Sequence, residues 1–285
     1  MTLTAPPVVD GGAVPVSGAP KEVSASRLTG ISRLGLGTAV MWLSLLVLLP
    51  LSAVVVRSTG NGWSGFWHSM TAPGSLDALR LTLVSSLLVS GVNAVMGTLI
   101  AWVLVRDEFP GRRLVEVVID IPFALPTIVA GVVLLALYGP TSPVGVYLLG
   151  TQRAVVFALL FVTVPFVVRT VQPVLINLEQ DVEEAAASLG AGAFVRFRRV
   201  ILPAIAPAIA SGTALAFARA MGEYGSVLLL SGGVFRARVS SMYAYQQIQN
   251  FDYVGAATTA TVLLVVSAVV LALLDLINRR VSARG

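Results

Sequence analysis

The stretch EEAAASLGAGAFVRFRRVILP, Glu183 to Pro203, interrupts text that is otherwise mostly Val, Leu, Ala and Phe. It gathers two acids, two glycines and three arginines before the apolar run resumes at Leu202-Pro203. Glu183 to Leu189 consists of strong helix formers with its acids in the first turn, where they complement the helix dipole. Gly190 stops that helix, as glycine at the first position beyond a helix end commonly does. Ala193 to Val200 predicts a second short helix, with Phe194, Phe197 and Val200 at intervals of three and Arg196 and Arg199 on another side. Pro203 suits the first turn of the helix that follows, where a missing N–H costs nothing and a preset φ helps. The pattern is helix, glycine turn, amphipathic helix, then return to an apolar span. Two uses fit it: docking into a partner's groove through the apolar residues, or lying on lipid headgroups with the arginines toward anionic lipid.

The composition around this insert points to lipid as the solvent. Of 285 residues, 56% are hydrophobic and only 12% are charged, about half the charged share of an ordinary soluble domain. The chain has no cysteine and a single histidine, His68, which excludes disulfides, thiol catalysis and Cys- or His-cluster metal sites. Its one lysine, Lys21, lies in a polar N-terminal segment, so no phosphate-binding loop of the G-x-x-x-x-G-K-[ST] kind is available. No ATP is expected to bind here by that route.

Crossing about 30 Å of hydrocarbon takes about 20 apolar residues in a helix. Six segments qualify: Gly35–Val56, Leu81–Val105, Val117–Tyr138 with Pro122 and Pro126, Ala154–Ile176 with Pro165 and Pro173, Ala206–Ser231, and Val254–Ile277. The expected organisation is a disordered tail over residues 1–30 and a first span with an external loop over 31–77. A main transmembrane domain follows over 78–278, carrying the insert as a loop at 177–203, and then a short tail over 279–285. In the connections, thirteen Lys and Arg residues fall on one side and five on the other. The positive-inside bias therefore predicts cytoplasmic N- and C-termini and a cytoplasmic insert. The net charge of +5 is explained by that topology, with no need for nucleic acid.

Further residues carry a resemblance. Glu184-Ala185-Ala186, Gly190, Val200 and Leu202-Pro203 stand at the spacing of the signature loop of binding-protein-dependent ABC importer permeases, with Val200 where isoleucine is usual. The segments DIPFALPTIVAG (120–131), PFVVRTVQPVL (165–175), ALAFARAMGEYGSVLLLSG (214–232) and QNFDYVGAATTA (249–260) resemble the sulfate/thiosulfate permease family. GEYGSV followed by FDYVGA is more similar to its T (or U) subunits than to its W subunits. The resemblance runs from about Leu36 to the C-terminus. It implies an all-α polytopic membrane protein with the six-helix transmembrane domain of a type I ABC importer. It also implies partners: an ATPase subunit dimer that holds ATP and Mg, a W-like sister permease and an extracytoplasmic sulfate-binding protein. On this reading Glu183 to Arg199 form the coupling helix that meets the ATPase, and the chain itself binds no cofactor and is no enzyme. Molybdate and tungstate permeases share the ARAxGEFG-like and EAA-loop text and are the nearest alternative.

Charges within the spans are the remaining candidates. Arg219 and Glu223, four apart and near the middle of the expected fifth span, should share a helical face. A charge at that depth costs about 2.5–3.5 kcal/mol on insertion scales, so a buried ion pair is one reading. The other is a pathway gate, with Gly222 and Gly225 loosening the helix around Glu223 and Arg219 facing a dianion. Asp120 and Arg169 read as snorkelling or local helix-end contacts, a pair between them being illegible in sequence. Asp275 and Arg279 read as a surface i,i+4 pair. Gly212, Ala216 and Ala220 form a small-xxx-small run suited to close helix packing, and Trp63, Trp67 and His68 read as interface anchors. A secondary anion carrier using Asp120 or Glu223 as a proton site is the rival from another class. It lacks a visible inverted repeat and leaves the docking-type insert unexplained.

Overall fold

A computed structural model describes residues 30–178 and 180–282, so the expected tail at 1–30, apart from Gly30, lies outside the described residues, as does Arg284. The chain divides into two units, one up to Pro50 and one from Leu51. In the first, α1 (Gly30–Leu43) continues through a π-helical turn at Ser44–Leu48. Its large side chains, Leu34, Trp42 and Leu46 among them, are exposed. An uncovered apolar helix is what a lipid-facing span requires, and Leu34–Ser58 is long and apolar enough to be one.

The second unit begins in α2 (Leu49–Ser58) and α3 (Gly62–Thr71). On α3, Trp63 stacks on Phe66 with ring centroids 5.3 Å apart and meets Trp67 edge-on at 6.0 Å. Both tryptophans are exposed, as interface anchors should be. The longest helix is α4, Pro73–Arg106, and it is patterned inside out. Its buried face carries Ser85, Ser86, Ser90, Asn93 and Gly97, while Val84, Leu87, Leu88 and Val95 are exposed. Lipid tails solvate leucine as well as protein does, so in a bilayer the protein-facing stripe goes to residues that permit close approach or hydrogen bonding. A Cβ on Gly97 would lie 2.8 Å from the Val167 Cβ, and Asn93 Nδ2 donates to Thr163 Oγ1 at 2.8 Å.

The chain then turns through α5 (Arg112–Ala124) and α6 (Thr127–Tyr138), whose axes differ by 118° across a break at Leu125-Pro126. The expected third span, Val117–Tyr138 interrupted by Pro122 and Pro126, is thus a bent pair that begins earlier, at Arg112, and breaks at Pro126 alone. Pro126 caps α6 in extended backbone and ends α5 two residues earlier, because the residue before a proline is pushed out of the helical region. Pro122, by contrast, is accommodated inside α5. Next, α7 (Gln152–Ile176) starts at a Thr151 side-chain cap and carries Pro165 and Pro173 within it. It forms the centre of the unit, packing along α4 and α10, with Val167, Val168 and Val171 fully buried.

The insert follows as α8 (Gln180–Ser188) and α9 (Ala193–Arg196). Its second part is not the separate short helix expected over Ala193–Val200. α9 continues through a π turn at Phe197–Ile201 into α10 (Leu202–Met221), with Pro203 in the first turn of α10. The candidate span is accordingly Ala193–Met221, and the expected Ala206–Ser231 is corrected. The helix stops at Gly222, and a new six-residue helix, α11 (Gly225–Leu230), begins after Tyr224. A 3₁₀ turn at Phe235–Ala237 leads to α12 (Ser240–Gln249) and α13 (Tyr253–Ser282). The last candidate span, Tyr253–Leu276, matches its expected limits to within a residue. Among the described residues there are five straight candidate spans, or six when the bent pair counts as one.

Candidate functional site

Two places concentrate the singled-out residues: the elbow formed by α8 and α9, and the break between α10 and α11. At the elbow, Gly190 adopts φ +81. The Ala191 N–H donates to the Ala186 carbonyl at 3.0 Å and the Gly190 N–H to that of Ala187 at 2.9 Å. This is the Schellman pairing, which satisfies the last carbonyls of α8 and requires a residue that tolerates positive φ.

The elbow is tied to the end of α4. The Arg106 guanidinium donates to the Glu183 carboxylate, with the two side chains 19% and 16% exposed. Arg106 also lies over the Trp102 ring at 5.6 Å, and Trp102 meets Phe197 edge-on at 5.6 Å. Glu183, expected among the ATPase-coupling residues, is held by its own chain. Phe197, expected on the docking face with Phe194, instead packs inward, because one helix register places it over Trp102. What remains outward is Phe194 at 72% exposed and Leu189 at 89%. Glu184, Ala185 and Arg199 are exposed too, while Ala186, Arg196 and Val200 are half-buried and Leu202 and Pro203 lie on the surface. Leu189 as an exposed apolar tip was not foreseen, although a leucine directly before a helix-stopping glycine is a usable signal.

At the second place, Glu223 is buried, and its Oε1 accepts from both the N–H and the Oγ of Ser226 at 2.9 Å. Arg219 Nη1 lies 2.5 Å from Oε2 but off the hydrogen-bonding angle, leaving Oε2 without a formed hydrogen bond. The attraction across that gap is therefore Coulombic. The Arg219 side chain stays 30% exposed against 1% for Glu223. Ser241, at the start of α12, donates to the Glu223 carbonyl at 2.6 Å. The pair forms as expected, but not at mid-span: Arg219 is in the last turn of α10 and Glu223 is in the break. The glycines differ in role. A Cβ on Gly225 would meet Thr127 Oγ1 at 2.3 Å and the Ile128 N at 2.8 Å, whereas one on Gly222 would find only the Ala218 carbonyl at 4.0 Å. Gly225, with Gly131 facing it across the contact, lets α11 and α6 touch backbone to backbone. Gly222 fills no such contact.

Other charges resolve as follows. Arg169 Nε donates to Asp120 Oδ1 at 2.8 Å and Nη1 to Gln172 Oε1 at 2.8 Å, and a second guanidinium nitrogen also reaches Asp120. The snorkelling expected for these two is corrected to a fork-to-carboxylate staple between α7 and α5, the planar match that arginine favours. Asp275 and Arg279 pair at 2.8 Å on the surface of α13, as expected. Gly212 meets α7 directly, since a Cβ there would lie 2.9 Å from the Val167 Cα. Among the described residues, no group of three or more His, Cys, Asp and Glu side chains could hold a metal ion.

Known proteins share both the sequence and the fold. The chain is 42% identical over 248 residues to the sulfate transport system permease protein CysT of Synechocystis sp., covering 84% of this chain and 87% of that one. It is 38% identical over 270 residues to the protein of the same name from Escherichia coli K12, covering 92% and 98%. A bacterial ABC transporter of the acidic polysaccharide alginate, crystallised with its pentasaccharide-bound periplasmic protein, superposes with a TM-score of 0.75 at 18% identity over 88% of this chain and 95% of that one. The inward-facing methionine transporter MetNI gives 0.51 at 21% identity over 74% and 94%. Both superpositions establish the fold alone. The family model described as binding-protein-dependent transport system inner membrane component matches residues 93–283. Lying over the elbow, the bent α5–α6 pair and the broken α10–α11 pair alike, that match makes this multi-pass chain a member of the binding-protein-dependent transport system inner membrane component family.

Proposed function

We propose that this chain is the sulfate (and thiosulfate) permease subunit of an ATP-driven importer, with the elbow on the cytoplasmic side. The observation that carries the reading is the elbow itself: an internally braced helix turn that leaves Leu189 and Phe194 in the open. Apolar anchors on a rigid mount are what a groove-bearing partner binds, and the relatives' names supply the substrate. The partner at that mount would be the ATPase dimer, which holds the ATP and Mg. A sister permease would complete the pathway, and an extracytoplasmic sulfate-binding protein would deliver the anion. Glu183, Glu184, Arg196 and Arg199 would then lie on the path from nucleotide closure to span tilting.

Sulfate needs a polar passage because a charge stripped of water in a low-dielectric medium is very costly. Arg219 fits the wall of that passage. Its Glu223 partner is held by Ser226 from the other side, so the carboxylate stays fixed while the guanidinium keeps an open face. The test is reconstitution of the four kinds of subunit in proteoliposomes. ATP-dependent uptake of radiolabelled sulfate is expected, lost in Arg219→Gln with assembly intact. Uptake driven by a proton gradient without the ATPase, or of molybdate but not sulfate, would refute the assignment.

A further inference from the structure

A second constellation lies far from the elbow and plays no part in the readings above. A cavity of about 540 Å³ is lined by Asp77, Arg80, Gln152, Phe235, Arg236 and Arg238, with two aliphatic residues of α4 beside them. Arg80 and Arg106 are both on α4, 26 residues apart, which at 1.5 Å per residue is about 39 Å. That exceeds the roughly 30 Å of a bilayer's hydrocarbon core, so the cavity and the elbow open on opposite faces of the membrane.

We infer that this cavity binds a tetrahedral oxyanion dianion at the outer mouth of the pathway, after its release from the binding protein. The inference rests on the oxyanion substrate proposed above and adds a site to it. The distribution of charge is the first argument. The positive-inside count gives this side five arginines, and three of them converge on one cavity. Arg236 and Arg238 share one loop, and the fold brings Arg80 to them from α4. The second argument is their lack of partners. Among the described residues, none of the three arginines, nor Asp77, has an opposite charge within 4.0 Å. Three guanidiniums against one carboxylate leave a net surplus of two positive charges, which matches a dianion.

The third argument is the scaffold, which is fixed where the arginines are attached. Buried Thr82 Oγ1, one turn along α4 from Ala78, accepts the Ser240 N–H at 2.8 Å and donates to the Ala78 carbonyl at 2.8 Å. The loop carrying Arg236 and Arg238 is thereby fastened to α4 beside Arg80. Gln152 Nε2 donates to the Arg236 carbonyl at 3.2 Å, fastening the same loop to α7. Arg238 lies over the Phe235 ring at 5.0 Å. The backbone is held, while the guanidiniums keep their donors for a ligand. Forked donors suit the oxygens of a tetrahedral anion.

The test uses the assembled permease–ATPase complex in phosphatidylcholine nanodiscs, without nucleotide or binding protein, and measures equilibrium binding of radiolabelled sulfate. Saturable binding is expected, weakened about tenfold or more in Arg80→Gln and in Arg236→Gln. Arg80→Lys should recover part of it. Arg153→Gln, which removes an equal charge on the same side outside the cavity, should bind like the unaltered protein. Size-exclusion of each variant complex establishes that it has assembled. No saturable binding in the unaltered complex, or equal binding in all variants, overturns the inference. So does loss of the site when phosphatidylglycerol is included, which would give the arginines to lipid headgroups. Loss of binding-protein-stimulated ATP hydrolysis in Arg236→Gln with sulfate binding untouched would make the cavity a protein-docking surface instead. The two readings fail separately: if the full transporter imports sulfate but these variants bind it normally, only the cavity assignment falls.

Discussion

The brace between Arg106 and Glu183 is the feature whose removal tests the elbow most directly. Glu183→Gln keeps the shape and one acceptor oxygen but removes the charge. Both side chains are more than four-fifths buried, so solvent screening is weak and the value of an exposed pair does not apply. The relevant scale is the hydrogen bond to a charged group, about 1.5–3 kcal/mol. Removing the carboxylate's charge also leaves a mostly buried guanidinium without a counter-charge, which pushes toward the upper end. Stacking on Trp102 survives and pulls the other way. Taking about 2 kcal/mol, the braced elbow loses about thirtyfold in population relative to a detached one. If Leu189 and Phe194 dock the ATPase as proposed, a detached elbow would still bind it but would not pass its movement to α4. The expected result is therefore selective: ATP hydrolysis continues while sulfate moved per ATP falls several-fold. Arg106→Gln should do the same, and the double variant should cost little more than either alone, because the partners share one interaction. Transport per ATP unchanged in Glu183→Gln, or effects of the two substitutions that simply add, would refute the brace as a transmitting contact.

Three further substitutions separate packing from coupling. Gly225→Ala forces a Cβ to within 2.3 Å of Thr127 Oγ1 and 2.8 Å of the Ile128 N. It should destabilise the α6–α11 contact by about 1–3 kcal/mol, seen as a lower thermal midpoint of the detergent-solubilised complex, while Gly222→Ala, with its nearest neighbour at 4.0 Å, leaves that midpoint within error. Phe194→Asp replaces an anchor that is 72% exposed and supports nothing inside the chain. It should leave the permease folded but weaken ATPase association about tenfold to a hundredfold, the value of burying one phenylalanine. Unaltered co-purification of the ATPase with this variant would remove Phe194 from the docking face.

Much of this architecture could be read residue by residue. The glycine stop at Gly190, the Gly212–Ala216–Ala220 contact stripe, the Asp275–Arg279 pair and the limits of the last span rest on local rules, and the structure reproduces them. The misreadings share a cause. Helices in lipid need not alternate polar and apolar faces, so an apolar run does not announce where a helix breaks inside it. Gly222-Glu223-Tyr224 looked like mid-span text. It is a break in which Ser226 caps Glu223 Oε1 and Ser241 caps the Glu223 carbonyl. The Arg106–Glu183 and Arg169–Asp120 ties join residues 77 and 49 positions apart, and only the fold brings them together. The spacing of Phe197 to Phe194 predicts a shared face and cannot say whether Trp102 lies underneath.

Those same long-range ties explain why the irregular backbone sits where it does. An unpaired N–H or C=O facing lipid costs several kcal/mol, so a broken span is stable only where protein groups replace the missing helical partners. The break after α10 meets that demand with Glu223, Ser226 and Ser241. The bend at Leu125-Pro126 is flanked by the Asp120–Arg169 staple on one side and the Gly131–Gly225 approach on the other. The two interruptions are therefore one structure: α6 and α11, the short helices that begin at them, pack on each other. Gly131 of α6 approaches the backbone of Ser226, the residue that also caps Glu223, so the α6–α11 contact and the cap share one residue.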